Sequence, residues 1–282
     1  MDSSESAFIT NVELSDKAFQ RLSRFIYSEL GIKMPPEKRI MLQSRLLKRL
    51  RVLNMASFDE YVSFIFDDPS GKKELYQMIG LVSTHKTNFF RENQHFEYIT
   101  STILEKLLLK KKHLKLWSAG CSTGEEVWTL AMVLQEYAQH KSFFTYDILG
   151  TDIAQNVLEH SLKGIYHKDT IEEVGMELKK KYFLRHKDTA NPSVRIIPEL
   201  RKNARFEWLN LMDNDYKIQN KFDIIFCRNV LIYFERETQA KVVRKLSEYL
   251  TEDGYLFLGH SESIINLKLP LRQLLPTVYQ KL

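Results

Sequence analysis

The chain has 282 residues, of which 44% are hydrophobic and 27% charged, and its 41 Lys and Arg against 36 Asp and Glu leave a net charge of +5. That length holds one large domain or two modest ones, each with a real core, and so mild a basic balance permits a nucleic-acid partner without requiring one. Cys121 and Cys227 form neither a disulfide framework nor a zinc spacing, the N-terminus has no basic and apolar leader, and no apolar run reaches membrane-spanning length; the reading is a cytoplasmic protein without membrane insertion.

Residues 1–13 are polar and acidic and are expected to fray. From Ser15 onward, Phe19, Leu22, Phe25, Ile26 and Leu30 recur at spacings of three and four, which predicts a helix. Pro35 and Pro36 break that pattern and suit the start of the next helix, Glu37 to Leu53. Leu42, Leu46, Leu50 and Leu53 share one of its faces, and Arg45, Lys48 and Arg51 form a basic stripe away from it. Shorter helices near Phe58–Phe66 and Lys73–Val82 complete an all-helical first third.

Beyond Lys110–Lys112 the texture changes. Strand-like runs at Leu114–Ser118, Thr145–Thr151, Arg205–Leu209, Phe222–Cys227 and Tyr255–Gly259 alternate with helical stretches at Glu125–Ala138, Ile153–Leu162 and Glu235–Leu250. Such alternation predicts an α/β fold with a doubly wound, parallel, Rossmann-like sheet. A polar loop and a short "VRII" strand interrupt it and read as a small β insertion at about residues 182–204. The expected plan is a helical N-terminal domain over 1–92, a linker over 93–113, and the sheet domain over 114–282.

In such a sheet, ligands sit beyond the carboxyl ends of the strands where the strand order reverses. Gly120–Glu125, Asp152, Asn210-Leu211 and Arg228-Asn229 all follow predicted strand ends. An acidic side chain placed like Asp152 can accept the hydroxyls of an adenosine ribose. A dinucleotide would also need its pyrophosphate on a G-x-G-x-x-G turn, yet this turn keeps only Gly120 and Gly124, has Ser122 between them, and runs into Glu125 and Glu126. Those carboxylates repel phosphate and welcome a cation, which favours S-adenosylmethionine, with its sulfonium and α-ammonium, over a nicotinamide dinucleotide.

"SAGCSTGEE", "FCRNVLIYF" and "GHSES", in this order and at these spacings, resemble the chemotaxis receptor methyltransferases of the CheR family, and "THKTNFFRE" and "EKRIMLQSRLLKRLR" resemble that family too. The resemblance runs from Phe19 to Gln280. It implies transfer of a methyl group from S-adenosyl-L-methionine to glutamate side chains on the cytoplasmic methylation helices of chemoreceptors, with S-adenosyl-L-homocysteine as the other product. Nothing in the sequence demands an oligomer, and the expectation is a monomer without metal or nucleic acid. Carried over by motif, His85, Thr87, Arg91, Glu125, Asp152, Asn210, Leu211, Arg228 and Asn229 match positions that contact the cofactor. Arg91 and Tyr233 match positions beside the reacting groups, and the stripe Arg45, Lys48 and Arg51 matches a receptor-facing surface. Two departures stand out. His85 replaces an asparagine of many relatives, and "RHKDTANPSV" lacks the glycine-rich loop of relatives that dock on a receptor's C-terminal pentapeptide, which implies tether independence.

Blander readings accompany these. Tyr233 could pack against the sheet, Arg228 could serve a structural ion pair, and the basic stripe could be a solvated face. Two other functions share the cofactor or the fold: a nucleic-acid methyltransferase, disfavoured because "CRNVLIY" lacks a base-flipping proline-aromatic loop, and a binding module without catalysis.

Overall fold

The computed structural model describes residues 12–141, 143–188, 190–264, 267 and 269–282; residues 1–11, most of the stretch expected to fray, lie outside them. Contacts divide the chain into two units, one of residues up to Thr84 with Tyr233–Glu235, the other of His85–Ile232 and Arg236–Leu282.

The first unit is helical: α1 (Asp16–Leu30), α2 (Arg39–Leu53), α3 (Phe58–Asp67) and α4 (Lys72–Val82). Ser15 caps α1 by accepting from Ala18 N at 3.1 Å, and Gly31 ends it in the left-handed conformation. Pro36 opens a short 3₁₀ turn that leads into α2. Leu22, Ile26, Leu42, Leu46, Leu50, Tyr61 and Ile65 form the buried faces that the periodicity predicts. One charge lies among them. Glu74, 6% exposed at its side chain, accepts from Arg49 Nε at 2.7 Å and Nη2 at 2.6 Å and from Tyr61 Oη at 3.0 Å.

The first helices of the second unit are α5 (Gln94–Tyr98), a π turn, and α6 (Leu104–Lys110), a stretch that falls in the expected linker over 93–113. Its Phe96, Ile99, Ile103, Leu104, Leu107 and Leu108 join the sheet's own core, so this segment is a covering helix of the α/β layer. The sheet then takes β1 (His113–Ala119), β2 (Thr145–Asp152), β6 (Ala204–Trp208), β7 (Phe222–Cys227), β8 (Leu250–Leu258), β9 (Leu271–Leu275) and β10 (Val278–Lys281), in the order β6-β2-β1-β7-β8-β10-β9. The first five strands of that order are parallel, with α7 (Glu125–His140), α8 (Gln155–Lys163) and α11 (Arg236–Glu248) among the helices that connect them. Strand order reverses between β1 and β7, which opens the crevice expected of a doubly wound sheet. The last two strands form an antiparallel hairpin that the sequence reading does not anticipate, since "LRQLLPTVYQK" has little apolar alternation.

The insertion is a three-stranded antiparallel sheet, β3-β5-β4, of Ile165–His167, Ser193–Ile196 and Phe183–Arg185. It takes in a strand upstream of the predicted span, and α9 (Met176–Tyr182) and α10 (Pro198–Arg201) flank it. Among the described residues no helix is long and apolar enough to cross a membrane.

Removing one partner of a buried ion pair leaves an uncompensated charge. Arg49→Met is therefore expected to destabilise the helical unit by about 3 kcal/mol, read as a lowered denaturant midpoint. The double variant Arg49→Met/Glu74→Leu should recover most of that loss.

Candidate active site

The turn after β1 shows where its backbone donors go. Gly120 N and Cys121 N both donate to Thr151 O at 2.8 Å, Ser122 N donates to Asp152 Oδ2 at 2.8 Å, and Gly124 N donates to Cys121 O at 3.0 Å. Four amides that a phosphate would require are thus spent within the protein. The geometry needs its glycines: Gly120 has φ +85°, and a Cβ there would lie 2.5 Å from Val230 Cγ2. Ser122 adopts φ +51°, the left-handed region, held there by Asp152 and by its hydroxyl bond to His85 O at 3.2 Å.

Two buried carboxylates frame this turn. Asp152 ends β2 and also accepts from Ala154 N at 3.0 Å. Glu125 opens α7 and accepts from Thr123 Oγ1 at 2.6 Å. Burial pushes both carboxyls above their usual range; in Asp152, His85 and the backbone donors pull the other way. Each oxygen keeps lone pairs for further donors. A buried carboxylate whose pKa is raised by burial favours a cationic ligand, whose charge stabilises its ionised form.

Behind the turn, Arg228 lies with 2% of its side chain exposed. Its Nε donates to Glu126 Oε2 at 2.7 Å, and its Nη1 donates to Arg91 O at 2.8 Å and meets His95 Nδ1 at 3.0 Å. Nη1 also stands 3.5 Å from Glu92 Oε2, and the guanidinium packs over the rings of Phe96 and Phe226. Glu126 is further fixed by Ser118 Oγ at 2.7 Å. Burial foremost, with Arg228 next, drives His95 down to about 4, so its imidazole is neutral. Nδ1 then accepts from Arg228, and Nε2–H donates to Thr277 Oγ1 at 3.0 Å. Glu92, His95 and His260 bring ligand atoms within 4.8 Å of one another, as a metal would require. Arg228 already supplies the positive charge there.

Of the residues singled out from sequence, the second unit gathers His85, Thr87, Arg91, Glu125, Asp152, Asn210, Leu211, Arg228 and Asn229. Asp152 is the last residue of β2, and Glu125, Asn210 and Asn229 follow the carboxyl ends of β1, β6 and β7. His85 and Thr87 are half-buried on the segment entering the unit. Arg91 is half-buried, and its Nη1 donates to Lys86 O at 2.6 Å. Asn210 folds its Oδ1 back onto Met212 N at 3.0 Å, and Leu211 is buried. Asn229 has φ +60° and donates from Nδ2 to Glu92 Oε1 at 3.3 Å. Tyr233 closes a 3₁₀ turn, Leu231–Tyr233, and groups with the helical unit, where its carbonyl accepts from Lys33 N. In the stripe, Lys48 and Arg51 are exposed. Arg45 instead donates to Leu81 O, Val82 O and Ser83 O at 2.8–3.2 Å, capping the carboxyl end of α4.

Glu92, His95 and Glu262 escape the sequence reading as site residues, and Glu126, read with Glu125 as welcoming a cation, is instead paired with Arg228. Glu126 had a signal, a second acid beside Glu125, and Glu262 lay within the quoted "GHSES". A buried neutral histidine such as His95 leaves no trace in a helical pattern. Cys121 and Cys227 are buried, and burial pushes both thiols well above their ordinary value, which fits packing residues.

Family comparison decides between the cofactor readings. Residues 85–279 match the model of the CheR methyltransferase SAM-binding domain, and residues 17–82 match that of the CheR methyltransferase all-alpha domain. The chain belongs to the CheR family. Among curated CheR relatives, it is 37% identical to a chemotaxis protein methyltransferase of Borreliella burgdorferi over all of both chains. It is 34% identical to the chemotaxis protein methyltransferase of Salmonella typhimurium over 90% of this chain and 86% of that one. The CheR chain is therefore an S-adenosyl-L-methionine-dependent chemotaxis protein methyltransferase. The residues present fit that cofactor: four of the turn's amides are spent within the protein, and carboxylates such as the buried Glu125 and Asp152 can accept from an ammonium or from hydroxyls.

Glu125 gives a sign for the pH dependence. Burial raises its pKa in the free protein, and a cation beside it lowers that pKa again. Binding then releases a proton in the window between the two values, so affinity for S-adenosyl-L-methionine should rise with pH through that window and level off above it. Calorimetry across a pH series should show this slope in the wild type. Glu125→Gln should bind more weakly, by about tenfold, and lose Glu125's part of the slope.

Proposed function

We propose that this methyltransferase esterifies glutamate side chains on the cytoplasmic methylation helices of a chemoreceptor, acting as a cytoplasmic monomer without nucleic acid. The observation that carries the reading is the pairing of a cation-seeking turn with an arginine, Arg91, on the same unit. A substrate glutamate is ionised at neutral pH, so its carboxylate attacks without a general base. The cofactor supplies the methyl group and a neutral thioether leaving group. The protein's part is alignment.

Glu125 and Asp152 are assigned to the methionine and ribose ends of the cofactor, and His85, Thr87, Asn210, Leu211 and Asn229 to its remaining contacts. Arg91 spends one N–H on Lys86 O and keeps others with which a fork can hold an incoming carboxylate. Tyr233 is assigned to the side of the transferred methyl on the strength of the "NVLIYF" motif. Arg228 is assigned a supporting part, because its guanidinium is committed to Glu126, His95 and the Arg91 carbonyl. The glycine-free stretch between β4 and β5 supports independence from a receptor's C-terminal tether.

The test uses methyl-labelled cofactor and receptor cytoplasmic fragments from the same cell, followed by release of volatile methanol in base. Label entering the receptor and leaving as methanol marks a glutamate ester, whereas a methylated base would hold its label. Arg91→Ala should fold and lose on the order of 100-fold in kcat/KM; normal turnover would remove Arg91 from the site. Trimming the receptor's last residues should leave the rate unchanged.

The basic stripe is assigned to the receptor's acidic helices through Lys48 and Arg51, with Arg45 holding the end of α4. Lys48→Glu/Arg51→Glu should slow receptor methylation at low salt. The gap to wild type should close as salt rises past about 0.1 M, where the screening length is about 10 Å. Cofactor affinity should not change, and a rate indifferent to salt would return these side chains to simple solvation.

A further inference from the structure

After β7 the chain must turn sharply to present Asn229, which sits at φ +60°, a costly conformation for a residue with a side chain. Glu262, 5% exposed, stands inside that turn. Its Oε2 accepts from Asn229 N at 2.9 Å and Gly259 N at 2.6 Å, and its Oε1 accepts from Leu231 N at 2.7 Å and Ile232 N at 3.3 Å. One carboxylate thus collects four backbone donors from two loops. These bonds pull its carboxyl down while burial pushes it up, with burial the larger. Gly259 completes the clamp: a Cβ there would lie 2.5 Å from Asn229 Nδ2 and 2.8 Å from Asn229 N. The "GHSES" motif is therefore a device acting on Asn229, with its glycine granting close approach and its glutamate gripping the turn.

We propose that Glu262 is a positioning residue for cofactor binding, acting through Asn229, whose left-handed turn it holds at the carboxyl end of β7. The proposal rests on the assignment of Asn229 to the cofactor and not on the identity of the methyl acceptor. A glutamine at this position would turn an amide NH₂ toward one pair of backbone donors, so E262Q should break half of the clamp with little change of volume.

The experiment measures S-adenosyl-L-homocysteine affinity by calorimetry for wild type, E262Q, N229A and the double variant, with thermal midpoints alongside. E262Q should bind about tenfold more weakly. In the N229A background the same substitution should change affinity less than about twofold. Unchanged affinity in folded E262Q overturns the proposal, as does an equal loss in both backgrounds, which would show Glu262 acting independently of Asn229. G259A provides the second approach should E262Q fail to fold. With Glu262 intact, its methyl displaces Asn229 and should reproduce the loss, and wild-type affinity in G259A would also overturn the proposal. A protein that binds S-adenosyl-L-homocysteine yet methylates no receptor fragment would instead count against receptor methylation alone.

Discussion

The site depends on one buried guanidinium. Arg228 has too many donors to be left unpaired in a low-dielectric interior, so each element around it must bring an acceptor: Glu126 from the first turn of α7, the Arg91 carbonyl and Glu92 from the entering segment, and His95 from α5. Such a cluster is weak grounds for net stability, because taking the charges out of water offsets most of their attraction. Its geometric consequence is stronger. Glu126 is the neighbour of Glu125, Arg91 is itself a proposed site residue, and Asn229 follows Arg228 directly, so pairing the guanidinium orients three proposed contacts together.

Backbone conformation carries the same constraint. Phe90, Glu92, Ser122 and Asn229 all adopt positive φ within the second unit, and each is anchored nearby: Phe90 N by Thr129 Oγ1, Ser122 N by Asp152, Asn229 N by Glu262, and Glu92 through Asn229 and Arg228. Non-glycine residues there cost of order 1 kcal/mol or more and persist when their surroundings over-determine them. These four costs fall on segments around the Arg228 cluster and the β1 turn, while β7 beneath is buried along its whole length.

This contrast explains what a linear reading recovers. Strand β7 is read to its residue limits because five of its six buried positions are apolar, the exception being Asp223, which pairs with Lys111 and Lys115 N, and the Glu125 turn is readable because glycine at Gly120 and Gly124 is forced by local sterics. The segment 94–110 is harder because its core partners lie in the sheet, distant in sequence, and the hairpin of β9 and β10 because its strands show little apolar alternation. Arg228 shows the limit most clearly. A strand-end arginine followed by asparagine reads as a ligand contact, but its carboxylate partner lies 102 residues earlier, and only the folded chain reveals that the side chain turns inward. Glu262 was visible as a motif letter; its function rests on four amides whose positions no pattern encodes.

The adjacent acids Glu125 and Glu126 then have opposite fates for one reason. Both occupy the first turn of α7, where the helix dipole favours negative charge. Glu126 points toward Arg228, and its charge is matched within the protein. Among the described residues, Glu125 has a threonine hydroxyl and no cation partner, and burial raises its pKa. Had Arg228 reached Glu125 instead, the turn would be electrostatically complete and indifferent to a cationic ligand. By satisfying the other neighbour, the fold leaves Glu125 without a matched charge, and on the proposed assignment that unmet charge favours a positively charged cofactor over a phosphate-bearing one.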